Sequence, residues 1–286
     1  MLPLLCRCPP RAPTAPAGAG RPPVAGDRRP GAAVGVTRLY EVYLLRHGES
    51  TANAQGLFTG VLNPPLTERG RIEARDAGLL LQAAGIRPVS IFASALERTI
   101  ATALIVKDVL GLDADLRIEW RLNERNYGAL TGQSKTAVAR RYGVSQFLTW
   151  RRSFLTAPPP MSAEQLEAIR SEEPFRSLPQ AALTPTESLH DVGRRILPFV
   201  AEQLYHALVE ESPVIVVGHG NSLRALCMII EGLTPRQVEQ LAIPTGQPLR
   251  YRFDLRSGTP ALVARDYLDP DAAVEATELL NRQGGT

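Results

Sequence analysis

The sequence predicts an α/β fold with a mainly parallel central sheet and helices on both faces. Three observations carry that expectation. Leu39-Tyr-Glu-Val-Tyr-Leu-Leu45 and Pro213-Val-Ile-Val-Val217 are short, apolar and rich in β-branched or aromatic residues, as buried strands are. Each runs directly into a turn holding glycine and histidine, Arg46-His47-Gly48 and Gly218-His219-Gly220. Such turns sit at strand carboxyl ends, where open α/β sheets place their ligands. Segments with apolar residues at helical spacing lie between the strands, the alternation that builds parallel sheets. With 286 residues, 44% of them hydrophobic, the chain can bury one good core, so one domain with appendages is expected.

Residues 1–37 form a leader crowded with Pro, Ala, Gly and Arg that cannot build a core, so a disordered extension is expected ahead of a domain over residues 38–286. An organellar transit peptide and a mis-assigned start codon are the other readings. The arginines and scarcity of acids favour the first of these, whereas the prolines and lack of serine disfavour it. A secretory signal fits worse, because Leu2-Pro-Leu-Leu-Cys6 is short and broken by proline. Through Arg38 the leader holds six arginines against Asp27, a local net of +5 in a chain of +3, which leaves −2 for the remainder. The globular part thus has no basic field for a nucleic acid. No apolar run approaches the roughly 18 residues of a membrane span, and Cys6, Cys8 and Cys227 make neither a disulfide framework nor a metal motif.

After the first strand, Leu66-Thr67-Glu68 reads as a helix entry with Thr67 as N-cap, the helix running to about Ala84 and stopping at Gly85. Val89–Ala93 is a second buried strand. A helix follows to Gly111, with Ile100, Ala103, Leu104 and Val106 on its apolar face and Arg98 in its first turn. Residues 117–130 are less regular. Glu124 lies there between Leu122 and Tyr127, where desolvation would favour a protonated carboxyl; a surface glutamate paired with Arg125 is the alternative. Residues 134–154 read as one helix, and the proline-rich residues 156–186 as an irregular insertion. Glu187 to about Val209 is a long amphipathic helix with Leu189, Val192, Ile196, Phe199, Val200 and Leu204 inward. After the Val214–Val217 strand, a helix from about Ser222 to Ile230 opens with N–H groups free to cradle an anion. Of the four histidines, His47 and His219 both fall at strand ends, which favours function over chance.

Arg46-His47-Gly48-Glu49-Ser50, Arg98, Glu124 and His219-Gly220-Asn221-Ser222-Leu223-Arg224-Ala225 together resemble the histidine phosphatase superfamily. Within it the chain is similar to the 2,3-bisphosphoglycerate-dependent phosphoglycerate mutases of glycolysis and gluconeogenesis. Further blocks agree in order: Phe58-Thr59-Gly60, Leu122-Asn123-Glu124-Arg125, Tyr127-Gly128-Ala129-Leu130, Trp150-Arg151-Arg152, Thr186-Glu187-Ser188-Leu189 and Ile243-Pro244-Thr245-Gly246. The resemblance implies that His47 is phosphorylated and that Glu124 gives and takes the proton. It implies that Arg46, Arg98 and His219 surround the transferred phosphoryl group with Asn53, Gly220 and Asn221, and that Gly48, Glu49 and Ser50 belong to the binding turn. Thr59, Gly60, Tyr127, Lys135, Arg151 and Arg152 would hold the rest of the substrate. Lys135 is one of only two lysines among thirty arginines, so an ammonium kept there suits a site needing a compact charge.

The implied reaction interconverts 3-phosphoglycerate and 2-phosphoglycerate, with 2,3-bisphosphoglycerate as phosphoryl primer and no metal. The implied partners are small phosphoglycerates, with no nucleic acid and no membrane, and the implied state is a cytoplasmic homo-oligomer, a dimer or tetramer. An insertion at about 124–186 would set specificity, and a tail at about 269–286 would cover the site against water. A phosphatase for small phosphate esters and a silent scaffold are the competing readings; intact His47, Glu124 and His219 disfavour the second.

Overall fold

Six strands form one sheet in the order β3-β2-β4-β1-β5-β6: β1 (Tyr40–Arg46), β2 (Ser90–Ala93), β3 (Asp115–Ile118), β4 (Val214–Gly218), β5 (Leu249–Asp254) and β6 (Ala261–Tyr267). β3, β2, β4 and β1 run parallel, and β5 and β6 extend the β1 edge antiparallel. The computed structural model describes residues 39–255 and 259–282, which fall in one unit. The expectations for residues 1–37 and for the end of the tail therefore lie outside the described residues.

Strand side chains divide by the period of two. Tyr43, Leu45, Ile91, Ala93, Ile215 and Val217 pack on α2 (Glu68–Ala83) and α3 (Glu97–Leu110), which follow the short α1 (Thr51–Ala54). Val42, Leu44, Phe92, Val214 and Val216 face the opposite way. The chain reaches that second face through α4 (Lys135–Tyr142), α5 (Val144–Arg152) and α6 (Ala163–Arg170). There α7 (Leu189–Phe199) leads through a π-helical turn over Val200–Leu204 into α8 (Tyr205–Glu211), and α9 (Gly220–Glu231) packs beside α7. α10 (Pro235–Gln240) and α11 (Pro270–Arg282) complete the order. Helices thus cover both faces, as expected.

Local chemistry sets several boundaries. Thr67 Oγ1 accepts the Gly70 N–H and starts α2, while Gly111 ends α3 at φ 61°, a left-handed conformation that glycine adopts without strain. Elsewhere the expected elements are corrected. The single helix expected over residues 134–154 breaks at Gly143, whose φ of 81° and ψ of 154° no helix continues through. Residues 156–186 are not wholly irregular, because a Ser162–Gln165 capping box starts α6. Leu104 does not belong to the buried stripe of α3 and is 50% exposed; Ala103 and Val106 are buried as expected, joined by Thr99 and Thr102. The long helix expected to Val209 carries Pro198, which lacks an N–H for the ladder, and the π turn follows at once. β3, β5 and β6 were not among the expected strands. Their arginines and acids alternate with apolar residues or face solvent at the sheet edge, which hides the strand pattern.

Candidate active site

The parallel pairing of β1 with β4 matches Arg46 to Gly218, so both strands deliver a histidine at their adjacent carboxyl ends. The His47 N–H donates to the Gly218 carbonyl at 3.1 Å. The two rings meet edge to face with centroids 4.9 Å apart, and both residues are buried. β2 lies on the other side of β4, with Ala93 opposite Val217, so Ser94 arrives beside His219. Ser94 Oγ is 2.7 Å from His219 Nε2 and 2.7 Å from Thr99 Oγ1.

His47 Nδ1 lies 2.6 Å from the Gly48 carbonyl oxygen, which can only accept, so Nδ1 carries the proton. Its Nε2 therefore keeps a lone pair, which accepts a 3.3 Å contact from Arg98 Nε. Arg98 stands in the first turn of α3, and its two other nitrogens donate to the Leu62 and Gly60 carbonyls at 2.7 and 2.9 Å. Thr102, one turn on, accepts the Gly48 N–H at 3.2 Å. Burial, with the charges of Arg98 and Arg46 added, pushes the His47 imidazole well below its usual pKa. His219 is pushed down by burial, Arg98, His47 and Arg46. Both rings are thus held neutral near pH 7, which leaves His47 Nε2 a competent nucleophile.

Arg46 ends β1 and donates through Nη1 to the Ile243 carbonyl at 2.9 Å, while its buried Nε has no hydrogen-bond partner among the described residues. Glu124 lies on the irregular stretch after β3 and is 9% exposed. Its carboxyl accepts the Arg125 N–H at 2.7 Å and the Asn221 N–H at 3.2 Å, near the N-terminus of α9. Asn221 also donates to the Tyr127 hydroxyl at 2.9 Å and accepts from Arg224 at 3.0 Å. The surface pairing of Glu124 with the Arg125 side chain does not form. That guanidinium is buried against Tyr127, 4.5 Å from its ring centroid, and donates to the Trp150 and Arg151 carbonyls.

Arg46, His47, Asn53, Thr59, Gly60, Arg98, Glu124, Tyr127 and Lys135 line one small cavity of ≈ 20 Å³, together with Leu57 and Phe58. Thr59 Oγ1 is buried there without a hydrogen-bond partner among the described residues. Lys135 opens α4, and its ammonium is pushed down to about 7 by burial and by Arg151 and Arg46. An outer chamber of ≈ 260 Å³ shares Arg46, Asn53 and Lys135 with that cavity and adds Glu49, Arg69, Glu73 and Gln247. Ala276, Leu279 and Leu280 of α11 line its side. The tail residues therefore border this outer chamber, which shares Arg46, Asn53 and Lys135 with the cavity of His47.

The remaining expected residues are not among those that line the cavity of His47. Ser50 caps α1 in a reciprocal arrangement with Asn53, and Gly48 abuts Gly70 of α2. Arg151 is buried with its guanidinium 5.2 Å from the Phe147 ring centroid. Arg152 donates to the Leu241 carbonyl at 3.1 Å. Gly220 and Asn221 form the first turn of α9, behind Glu124. Sequence reasoning missed Ser94, Asn123, Arg195 and Glu73, all of which hold the site together. Asn123 Oδ1, for example, accepts the Ala95 N–H at 2.9 Å and ties the Glu124 stretch to the end of β2. No group of three or more His, Cys, Asp or Glu able to hold a metal ion is gathered among the described residues.

A neutral imidazole whose unprotonated Nε2 faces the cavity arginine, several guanidinium and ammonium donors and a buried carboxyl in one small cavity suit attack on a phosphate ester. The comparisons with known proteins point the same way. The model of the histidine phosphatase superfamily (branch 1) matches residues 42–173 and 161–265. The 2,3-bisphosphoglycerate-dependent phosphoglycerate mutase of Thermobifida fusca is 42% identical over 242 residues, 84% of this chain and 98% of its own length. That of Streptomyces griseus is 40% identical over 246 residues, 86% and 97% of the two chains. Among solved structures, Mycobacterial hydrolase 1 aligns with a TM-score of 0.61 at 22% identity, over 79% of this chain and 98% of its own. A mycobacterial glucosyl-3-phosphoglycerate phosphatase aligns with a TM-score of 0.60 at 23% identity, over 80% and 97%. These two share the fold.

Proposed function

The chain belongs to the histidine phosphatase superfamily, and from that premise we propose that it interconverts 3-phosphoglycerate and 2-phosphoglycerate through a phosphorylated His47. The observation that carries the reading is the His47 tautomer: Nδ1–H is committed to the Gly48 carbonyl, and Nε2 faces Arg98 in a cavity also lined by Arg46, Lys135 and Glu124. In the transfer step the Nε2 lone pair forms the N–P bond while the ester P–O bond breaks. The departing oxygen keeps the bonding pair and takes the Glu124 proton, leaving a carboxylate. In the return step that carboxylate takes the proton of the attacking hydroxyl and the N–P bond breaks. Arg46 and Arg98 counter the charge spread over the equatorial oxygens. Asn221 and Arg125 hold Glu124 through their backbone N–H groups, and Ser94 orients His219.

2,3-Bisphosphoglycerate, named in the relatives' descriptions, supplies the phosphoryl group that primes His47. The residues present fit such an anion, since the unpartnered Arg46 Nε and Thr59 Oγ1 border the same cavity as Lys135 and Arg98. Arg151 and Arg152 add positive potential near the site, Arg151 acting on Lys135 and Arg152 on Tyr127. The same reading assigns the protein to the cytoplasm as a homo-oligomer. The test is to incubate the protein with 3-phosphoglycerate, with and without 2,3-bisphosphoglycerate, and follow 2-phosphoglycerate and inorganic phosphate. Formation of 2-phosphoglycerate stimulated by the bisphosphate is expected. Phosphate as the main product would replace the mutase reading with a phosphatase.

A further inference from the structure

Glu124 reaches the cavity from a stretch with no strand or α-helix of its own, and such a stretch keeps a carboxyl in place only if its backbone is held. One side is held by Asn221. The other side is held by two residues the mechanism has not used, Arg195 on α7 and Glu187 just before it. Arg195 Nη2 donates to the Asn123 carbonyl at 2.7 Å and the Glu124 carbonyl at 3.2 Å, and Nη1 donates to the Arg121 carbonyl. Arg195 Nε donates to Glu187 Oε1 at 2.7 Å, and Glu187 Oε2 in turn accepts the Asn126 N–H at 2.9 Å. The Glu187 N–H closes the loop on the Asn126 carbonyl at 3.0 Å. The pair is nearly dry, with side-chain exposures of 12% and 9%. Backbone groups at 121, 123, 124 and 126 are thus all fixed by a single buried ion pair from an element anchored in the core through Leu189, Val192, Ile196 and Phe199.

We infer that Arg195 and Glu187 are a positioning pair whose task is to aim the Glu124 carboxyl at the departing oxygen. The inference rests on the proton-shuttle role given to Glu124, and it makes a prediction that general stabilisation of the fold does not. An alkyl phosphate needs its departing oxygen protonated, whereas the nitrophenolate of p-nitrophenyl phosphate leaves without a proton. Loosening the pair should therefore slow phosphorylation of His47 from alkyl donors and spare the aryl donor.

The test measures initial rates of His47 phosphorylation from glycerol phosphate and from p-nitrophenyl phosphate in the wild type, Arg195→Met, Arg195→Lys and Glu187→Gln, with Glu124→Gln as the reference for complete loss. The readout is the alkyl-to-aryl ratio within each preparation, so a partly unfolded variant leaves it unchanged. A fall of roughly tenfold or more in Arg195→Met, toward the Glu124→Gln ratio, with a smaller fall in Arg195→Lys, supports the assignment. Should Arg195→Met fail to fold, the lysine and glutamine variants read the same ratio. Equal losses on both donors, or ratios within about twofold of the wild type in every folded variant, overturn it. A wild type that is labelled by neither donor overturns it together with the nucleophile. Absence of phosphoglycerate isomerisation with labelling intact overturns the mutase reading alone.

Discussion

Replacing Lys135 with arginine keeps a cation at the cavity wall and removes its ability to titrate near neutrality. In the free protein the Lys135 ammonium is pushed down to about 7, chiefly by burial and then by Arg151 and Arg46. Its cationic form is therefore the majority only below that pH. Each further pH unit removes roughly nine-tenths of the ammonium that remains, a ~1.4 kcal/mol change per unit in the free energy of offering a cation to the substrate. If substrate anions need that charge, kcat/KM for 3-phosphoglycerate should fall about tenfold between pH 8 and 9, the basic limb reporting the free enzyme. A bound phosphate anion raises the Lys135 pKa again, so kcat should show a limb at higher pH or none. In Lys135→Arg the limb should vanish whatever the absolute rate, because a guanidinium stays charged throughout this range. Lys135→Met should be flat as well and lower at every pH. The sign carries over to stability. Between about 7 and its ordinary 10.5 the unfolded chain binds more protons at Lys135 than the folded one, so this group's contribution to stability rises with pH over that window. Steady-state profiles of the three proteins check the reasoning. A wild-type kcat/KM that stays level from pH 7 to 9, or an arginine variant that keeps the limb, would refute it.

His47→Ala should abolish the acid-labile phosphoenzyme, and a phosphohistidine surviving in that protein on a peptide map would move the nucleophile elsewhere. Gly48→Ala should destabilise the protein by about 3 kcal/mol, because a Cβ at 48 would lie 2.0 Å from the Gly70 carbonyl oxygen, and backbone meets backbone there. A denaturant midpoint unchanged from the wild type would show that the turn and α2 separate freely. Ending the chain before Pro270 removes the α11 residues Ala276, Leu279 and Leu280 from the chamber beside the site. Phosphate release should then rise relative to isomerisation, since water reaches the phosphohistidine more easily; an unaltered ratio of the two products would deny α11 a shielding role.

The parts of this protein that could be read in advance are those whose physics is local. Thr67, Gly85 and Gly111 mark helix ends because a cap or a positive φ is decided within one turn of chain. The strands at Leu39–Leu45 and Pro213–Val217 stand out because β1 and β4 are covered on both faces and so carry almost no polar residues. β5 is buried on one face only, and its Leu-Arg-Tyr-Arg-Phe-Asp pattern shows a strand only once the covered face is known. In the site, His47 and His219 could be singled out from sequence because each ends an apolar strand; their closeness was implied only by the family resemblance, and the parallel register of β1 and β4 supplies it. Arg195 had no comparable mark. It sits among ordinary polar positions of an amphipathic helix, and what distinguishes it is a set of carbonyl oxygens more than 70 residues earlier in the chain. A side chain whose work is done on backbone atoms leaves no complementary residue type to pair it with, because every residue has a carbonyl. Positioning groups of this kind therefore become visible only when the fold brings donor and acceptor together, whereas groups that touch the transferred phosphoryl declare themselves by the rarity of their chemistry. Lys135 is the case between the two. A lysine kept where this chain otherwise uses arginine signals a special place, but its titration near neutrality comes chiefly from burial and then from Arg151 and Arg46, all supplied by the fold.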